Sequence, residues 1–196
     1  PELKIYLRPK TDQSGNIIDF SEPDGVRCLN QALLKHYYGI QNWSVPEDHL
    51  CPAVPGRVDY LLHLKDLIDK NKKATAPITL LDIGTGANGI YALLAAAQFK
   101  WRVIACDTNE FALHHLAQIL DSNPSLKSLV ELRCQPDPDK ILEGIISDQD
   151  SVTATVCNPP FYPDPISAEL AHSKRHIAHS KRFLPSHPEL RTMKGI

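Results

Sequence analysis

Short apolar runs alternate with helix-like segments through the middle of the chain. The runs at 78–83, 103–106, 129–132 and 152–157 have the length and apolar density of buried strands. Between them, Ile90–Phe99 is almost wholly apolar, and Phe111, Leu113, Leu116 and Leu120 recur at helical spacing. Residues 141–146 read as part of a further helix. Strands that are apolar on both faces and alternate with helices predict right-handed βαβ units and a parallel sheet.

Ahead of residue 78 the texture differs. Ser21-Glu22-Pro23-Asp24 is a capping signature with proline in the first turn, where its missing N–H costs nothing. Val26, Leu29, Leu33 and Tyr37 follow, and Gly39 ends the pattern, so 19–39 reads as a capped helix. Pro46, Pro52 and Pro55 predict that 40–57 is mostly irregular. A second amphipathic helix carries Val58, Leu61, Leu64 and Ile68 on one face, and its end, Lys70-Asn71-Lys72-Lys73, places positive charge where the helix dipole favours it.

Composition narrows the class only a little. Of 196 residues, 42% are hydrophobic, enough for a core, and no stretch approaches the ~18 apolar residues of a membrane span. A net charge of −2 argues against a globally basic nucleic-acid binder but leaves room for a local basic patch. The five cysteines form no C-x-x-C pair, so neither a zinc site nor a disulfide framework is indicated. Cys106 and Cys157 lie in apolar runs and read as small core residues.

Chemistry enters at the strand ends. Gly84-Thr85-Gly86-Ala87-Asn88-Gly89 follows the first buried run and fits the G-x-G-x-x-G dinucleotide fingerprint, so NAD is a legitimate ligand on this motif alone. Asp82 turns the motif into D-x-G-x-G, the pattern that in methyltransferases wraps the amino acid portion of S-adenosylmethionine. A carboxylate there suits an ammonium and sits awkwardly beside a pyrophosphate. Asp107 ends the second run and is placed to accept from ribose hydroxyls, which both cofactors carry. The bland alternative is a glycine-rich turn with acidic caps.

Asn158-Pro159-Pro160-Phe161 follows the fourth run directly. Ligands of open α/β sheets bind beyond the C-terminal ends of the strands, so this turn is expected to face the glycine loop. The Asn158 carboxamide oxygen and the Pro159 carbonyl can each accept one N–H of a planar amine. Pro159 and Pro160 stiffen the turn, and Phe161 offers a face for a base. The bland alternative is a proline-rich turn with an asparagine cap; Asp82 and Asp107 upstream weigh against it.

The run from Asp82 to Tyr91, then Cys157-Asn158-Pro159-Pro160-Phe161, resembles the RlmF family of bacterial 23S ribosomal RNA adenine-N6 methyltransferases, with related eukaryotic enzymes acting on spliceosomal RNA. Asp19-Phe20, Asn30-Gln31-Ala32-Leu33-Leu34 and the segment from Leu50 to Tyr60, with its Pro-x-Arg-x-x-Tyr pattern, resemble the same family. The resemblance implies an α/β class I S-adenosylmethionine-dependent methyltransferase fold, Rossmann-like, with an N-terminal helical appendage. It implies cofactor contacts from Arg57, Asp82, Gly84, Gly86, Asp107 and Asn158, with Arg57 suited to the methionine carboxylate. It implies transfer to N6 of an adenine in RNA, most directly large-subunit ribosomal RNA, in the cytoplasm, or in a nucleus or organelle of a eukaryote.

Three regions follow: residues 1–76 as an RNA-facing helical and irregular appendage, 77–165 as the Rossmann-like core, and 166–196 as a basic polar tail. In that tail Lys174, Arg175, Lys181 and Arg182 read as phosphate contacts, or as a solvated face. His172 and His176 have a metal-compatible spacing but no carboxylate motif beside them, so no metal is expected. The family continues past the Asn-Pro-Pro-Phe turn with more strands, whereas 184–196 holds no strand-like run and Pro1 is not an initiator methionine. The chain is therefore expected to be a truncated form lacking C-terminal strands, with the fourth strand left as an exposed edge. Three further readings are an impaired fragment that retains RNA binding, a methyltransferase acting on another RNA such as small nuclear RNA, and an NAD-linked oxidoreductase.

Overall fold

The polypeptide begins with a 3-10 turn, Glu2–Tyr6, and a two-stranded antiparallel ribbon formed by β1 (Leu7–Pro9) and β2 (Asn16–Ile18). The structure, a computed structural model, describes residues 2–10, 15–20, 22–47, 49, 51–71 and 77–159. Tyr6 lies over Gly25 of the first helix, where a Cβ would stand only 3.2 Å from the tyrosine Cβ.

Helix α1 (Pro23–Tyr38) starts with proline in its first turn and ends on Gly39 in the left-handed conformation, as its sequence predicts. It begins four residues later than the 19–39 pattern, and Glu22 at its N-cap makes no side-chain cap bond. Ser21 of the capping signature lies outside the described residues, and Pro23 and Asp24 occupy the first turn. Helix α2 (Val54–Asn71) begins earlier than its apolar spacing indicates. Pro55 falls in its first turn, where proline is tolerated, so the irregular stretch ends at Ala53. The apolar faces of α1 and α2 meet the main core through Leu34, Val58, Leu61, Leu62 and Ile68.

The remaining described elements are β3 (Thr79–Ile83), α3 (Ile90–Phe99), β4 (Arg102–Asp107), α4 (Glu110–Asp121), the single turn α5 (Pro124–Lys127), β5 (Val130–Cys134) and β6 (Ala154–Cys157). The four strands form one parallel sheet in the order β5-β4-β3-β6. Chain order runs outward from β3 to β5, then returns to the other side of β3. A topological switch point therefore lies between β3 and β6, where ligands of such sheets bind.

Period-2 alternation sorts the strands onto two faces. Leu80, Val103, Ala105, Val130 and Val156 pack with α2, α3 and α4 in the main core. Leu81, Ile104 and Cys106 point the other way, under Ile145, with Ile83, Ile146 and Val152 at the margin. The β5-to-β6 crossover, which covers this second face, is irregular rather than helical at 141–146. Gly144 takes φ +80°, and the Ile145 carbonyl accepts from Arg133 Nη1 at 2.6 Å instead of from a helical N–H. Arg133 also grips both oxygens of Asp150, at 2.6 and 2.9 Å, holding the crossover against β5.

Among the described residues β6 pairs with β3 alone and forms one margin of the described sheet. Its side chains alternate: Val156 is buried under the helices, whereas Thr155 and Cys157 on the opposite face are exposed. The expectation that Cys157 is a core residue is thereby corrected. Cys106, one strand further in and beneath Ile145, is buried as expected.

Candidate functional site

Strand register brings the sequence motifs together. Ile83 is paired on one side with Cys106 and on the other with Cys157. The residues that follow each strand at this level, Gly84, Asp107 and Asn158, therefore emerge along one edge of the sheet, at the switch point.

The glycine loop is fastened from below. Gly84 and Thr85 both donate their N–H groups to the Cys106 carbonyl, at 2.9 and 3.0 Å. The Gly86 N–H donates to Asp107 Oδ2 at 2.8 Å, and Asp107 Oδ1 accepts from the Asn109 N–H at 2.9 Å. Asp107 thus ties two loops together, and its carboxylate remains half-exposed at the rim. Gly84 and Gly86 hold φ of +69° and +67°, and a Cβ built at either would meet nothing within 4 Å. These positions keep an open concavity against bare backbone, which is what close approach of a ligand requires.

Asp82 sits beneath this loop with only 1% of its surface exposed. Its Oδ2 accepts from the Thr85 hydroxyl at 2.8 Å. Burial pushes its carboxyl up to about 7, against the Thr85 hydroxyl and the Ala92 N–H in the first turn of α3, which favour the charged form. In this geometry Asp82 braces the loop from inside.

On the far side, the loop is clamped by residues that stand in no linear motif. The buried Trp43 donates its indole N–H to the Asn88 carbonyl at 2.9 Å. His115 Nδ1 lies 2.8 Å from the Ala87 carbonyl, while its Nε2 lies 3.2 Å from Ser44 Oγ. The carbonyl can only accept, so the Nδ1 N–H is the donor in that contact, and the serine hydroxyl can pair with Nε2 in either role. Asn88 Oδ1 receives the Ile90 N–H at 3.1 Å, satisfying one free donor at the start of α3.

Arg57, on α2, reaches across to the same edge. Its Nη1 donates to the Tyr91 hydroxyl at 2.9 Å and to Asn158 Oδ1 at 3.3 Å, and the guanidinium carbon lies 5.3 Å from the Tyr91 ring centroid. The α2 arginine and the asparagine after β6, 101 residues apart, are thus in direct contact. Tyr60, one helical turn beyond Arg57, packs its ring 5.5 Å from that of Tyr91.

Of the residues predicted from sequence, Arg57, Asp82, Gly84, Gly86, Asp107, Asn158 and Pro159 therefore converge on one end of the sheet. Pro160, Phe161 and the cations Lys174, Arg175, Lys181 and Arg182 lie outside the described residues. Tyr91 follows directly on the glycine motif, whose pattern carries no signal for its contact with Arg57. Trp43, Ser44, Thr85 and His115 carried no linear signal. Among the described residues there is no cluster of three or more His, Cys, Asp or Glu that could hold a metal ion, and no helix long and apolar enough to cross a membrane.

A family model described as RNA methyltransferase matches residues 1–191. The chain is 47% identical over 176 residues to ribosomal RNA large subunit methyltransferase F of Shewanella amazonensis, covering 89% of this chain and 54% of that protein. The enzyme of the same name from Cronobacter sakazakii is 41% identical over 177 residues, covering 89% and 57%. The chain thus spans about half the length of the curated relatives it matches. Among solved structures, the N-terminal domain of human METTL16 in complex with SAH superposes with a TM-score of 0.72 at 26% identity, covering 90% of this chain and 68% of that one. The human METTL16 catalytic domain in complex with the MAT2A 3'UTR hairpin 1 gives a TM-score of 0.74 at 25% identity, covering 96% and 58%. These likenesses identify the architecture as the class I methyltransferase fold.

Proposed function

This chain belongs to the RNA methyltransferase family, and from that premise we propose that its protein transfers a methyl group from S-adenosylmethionine to N6 of an adenine in large-subunit ribosomal RNA. The observation that carries the proposal is the convergence of Arg57, the glycine loop and Asn158 at the switch point. The named bacterial relatives support the choice of ribosomal RNA, and the SAH-bound human domain supports the choice of cofactor.

The residues present fit that cofactor. Gly84 and Gly86 leave bare backbone facing open space, Asp107 offers a half-exposed carboxylate for ribose hydroxyls, and Arg57 supplies a cation for the methionine carboxylate. Asp82 sets the loop that surrounds the amino acid end. When bound, the cofactor supplies a methyl group already activated by its sulfonium.

The chain's own work is then positional. Asn158 Oδ1 and the Pro159 carbonyl accept the two N–H groups of the target amine. Two acceptors fix the amine's direction and draw its nitrogen out of conjugation, so that its lone pair points along the line of transfer. The proline ring holds the turn, so little reorganisation accompanies the reaction. Phe161 provides the stacking face for the base, and Lys174, Arg175, Lys181 and Arg182 provide phosphate contacts. The segment 1–76 contributes Arg57 and an RNA-facing surface. The named bacterial relatives support a cytoplasmic location for such an enzyme.

The test is direct. Ribosomal RNA from cells lacking the gene is incubated with the protein and methyl-labelled S-adenosylmethionine, then digested to nucleosides. The proposal expects label in N6-methyladenosine from the large subunit. Label in any other nucleoside, or none with an intact cofactor complex, overturns it.

A further inference from the structure

The catalytic turn and the cofactor arm meet at one nitrogen, and Tyr91 governs where that nitrogen lies. Both N–H bonds of Arg57 Nη1 are directed, one to the Tyr91 hydroxyl at 2.9 Å and one to Asn158 Oδ1 at 3.3 Å. We propose that Tyr91 is a positioning residue for the transfer reaction, holding Arg57 so that the same guanidinium sets the orientation of the Asn158 carboxamide. This rests on the methyl-transfer reading above and deepens it.

The physical case begins with the amide. A carboxamide presents either its oxygen or its NH2 group with little difference in shape, and only the oxygen can accept from the target amine. Arginine has donors and no acceptor, so contact with Arg57 selects the oxygen. That oxygen has two lone pairs, and the one not facing Arg57 remains for the amine.

An arginine on a long, flexible stem selects nothing unless it is itself held. Tyr91 holds it twice, through the hydroxyl and through the ring face 5.3 Å from the guanidinium carbon. Tyr91 in turn is fixed: it is buried in the first turn of α3, directly after the glycine loop, with Tyr60 against its ring. Burial also raises its phenol above the ordinary value, so the hydroxyl stays neutral at working pH. A movement of the glycine loop is therefore transmitted through Tyr91 and Arg57 to the catalytic amide.

A purely structural tyrosine would affect stability alone, so the test is a double-mutant cycle with Tyr91→Phe and Arg57→Lys. Dissociation constants for S-adenosylhomocysteine are read by calorimetry, alongside kcat for methyl transfer. Tyr91→Phe is expected to weaken binding and lower kcat, each by roughly tenfold. In the Arg57→Lys background it should add less than about twofold, since its intermediary is gone. Full additivity, or unchanged binding and rate in a folded Tyr91→Phe protein, overturns the proposal.

A second readout needs no ligand and holds if Tyr91→Phe folds poorly. The Asn158 side-chain amide resonances of the cofactor-free protein should shift in Arg57→Lys and likewise in Tyr91→His, a second variant that removes the hydroxyl. If they do not move, the link is absent. Wild-type protein that binds no S-adenosylhomocysteine would count against the cofactor reading instead, leaving this resonance test of the Tyr91–Arg57–Asn158 link intact.

Discussion

A Cβ placed on Gly89 would stand 2.3 Å from Leu116 Cδ1, well inside van der Waals contact. Gly89 opens α3 at φ +53°, and Leu116 lies fully buried on α4. The third glycine of the loop is thus a packing glycine, whereas Gly84 and Gly86 face open space. Gly89→Ala is expected to cost roughly 2–4 kcal/mol of stability, from left-handed strain plus overpacking. Gly84→Ala and Gly86→Ala should cost about 1 kcal/mol but weaken S-adenosylmethionine binding at least tenfold, about 1.4 kcal/mol. Thermal melts paired with calorimetric titration separate the two classes. Equal destabilisation at all three positions would contradict this division.

Asp82 makes stability depend on pH in an unusual direction for a carboxylate. Its carboxyl is raised by burial from 3.8 to about 7. Between those values the folded protein holds a proton that the unfolded chain has released. The contribution is therefore complete below the ordinary carboxylate range and is lost as pH rises through about 7. Asp82→Asn removes the titration while keeping an acceptor for Thr85. The difference in unfolding free energy, wild type minus Asp82→Asn, should fall from pH 4 to pH 7, by on the order of 1.4 kcal/mol per unit of pKa shift at most. Urea unfolding across that range checks it, and a flat difference would count against a buried, proton-holding Asp82.

Asn123 fastens the irregular 40s segment to α4. Its Oδ1 accepts from the Gln41 N–H at 2.8 Å, and its Nδ2 donates to the Gln41 and Ile119 carbonyls, each at 2.8 Å. The side chain is 5% exposed, and its deletion leaves the Gln41 N–H and carbonyl without this partner, whereas the Ile119 carbonyl keeps the Ser122 N–H. Asn123→Ala should lower stability by roughly 2–4 kcal/mol. Asn123→Asp should be no better, because it turns a second oxygen toward two carbonyls. Chemical denaturation of the two variants gives the answer; a loss under about 0.5 kcal/mol for Asn123→Ala would mean these bonds contribute nothing net.

How far the sequence carried the structure varied with the physics of each element. Ile90–Phe99 was legible to the residue, because a glycine before it and a polar exit after it bracket an apolar run. The parallel strands were legible within one or two residues: β3 and β4 are buried on both faces and largely apolar, and β5 and β6, each buried on one side, still keep short apolar runs. The ribbon Leu7–Pro9 with Asn16–Ile18 was not, because three-residue strands are too short to show alternation. The helix expected at 141–146 failed for a tertiary reason: Ile145 is buried under the sheet by its own turn, with Gly144 at φ +80° and Arg133 taking the Ile145 carbonyl.

The site divided along the same line. Asp82, Gly84, Gly86, Asp107 and Asn158 stand at strand ends, where one-dimensional spacing and parallel topology together fix a shared edge. Arg57 came from family resemblance, and its contact with Asn158, made between segments 101 residues apart, had no signal in the sequence. Tyr91, Trp43 and His115 act through contacts between distant segments, and an aromatic or histidine in an apolar stretch looks the same whether or not it makes them. The exposed Cys157 was misread because a strand at the margin of the described sheet and an internal one share a composition.

The central claim is that Asn158 directs the amine of adenine in a cofactor-dependent methyl transfer. The measurement that bears on it most directly is the single-turnover rate of Asn158→Ala on large-subunit ribosomal RNA with labelled S-adenosylmethionine, beside its affinity for S-adenosylhomocysteine. The account predicts a rate reduced by at least about 100-fold with cofactor affinity within roughly tenfold of wild type. Transfer to adenine N6 at close to the wild-type rate would contradict it.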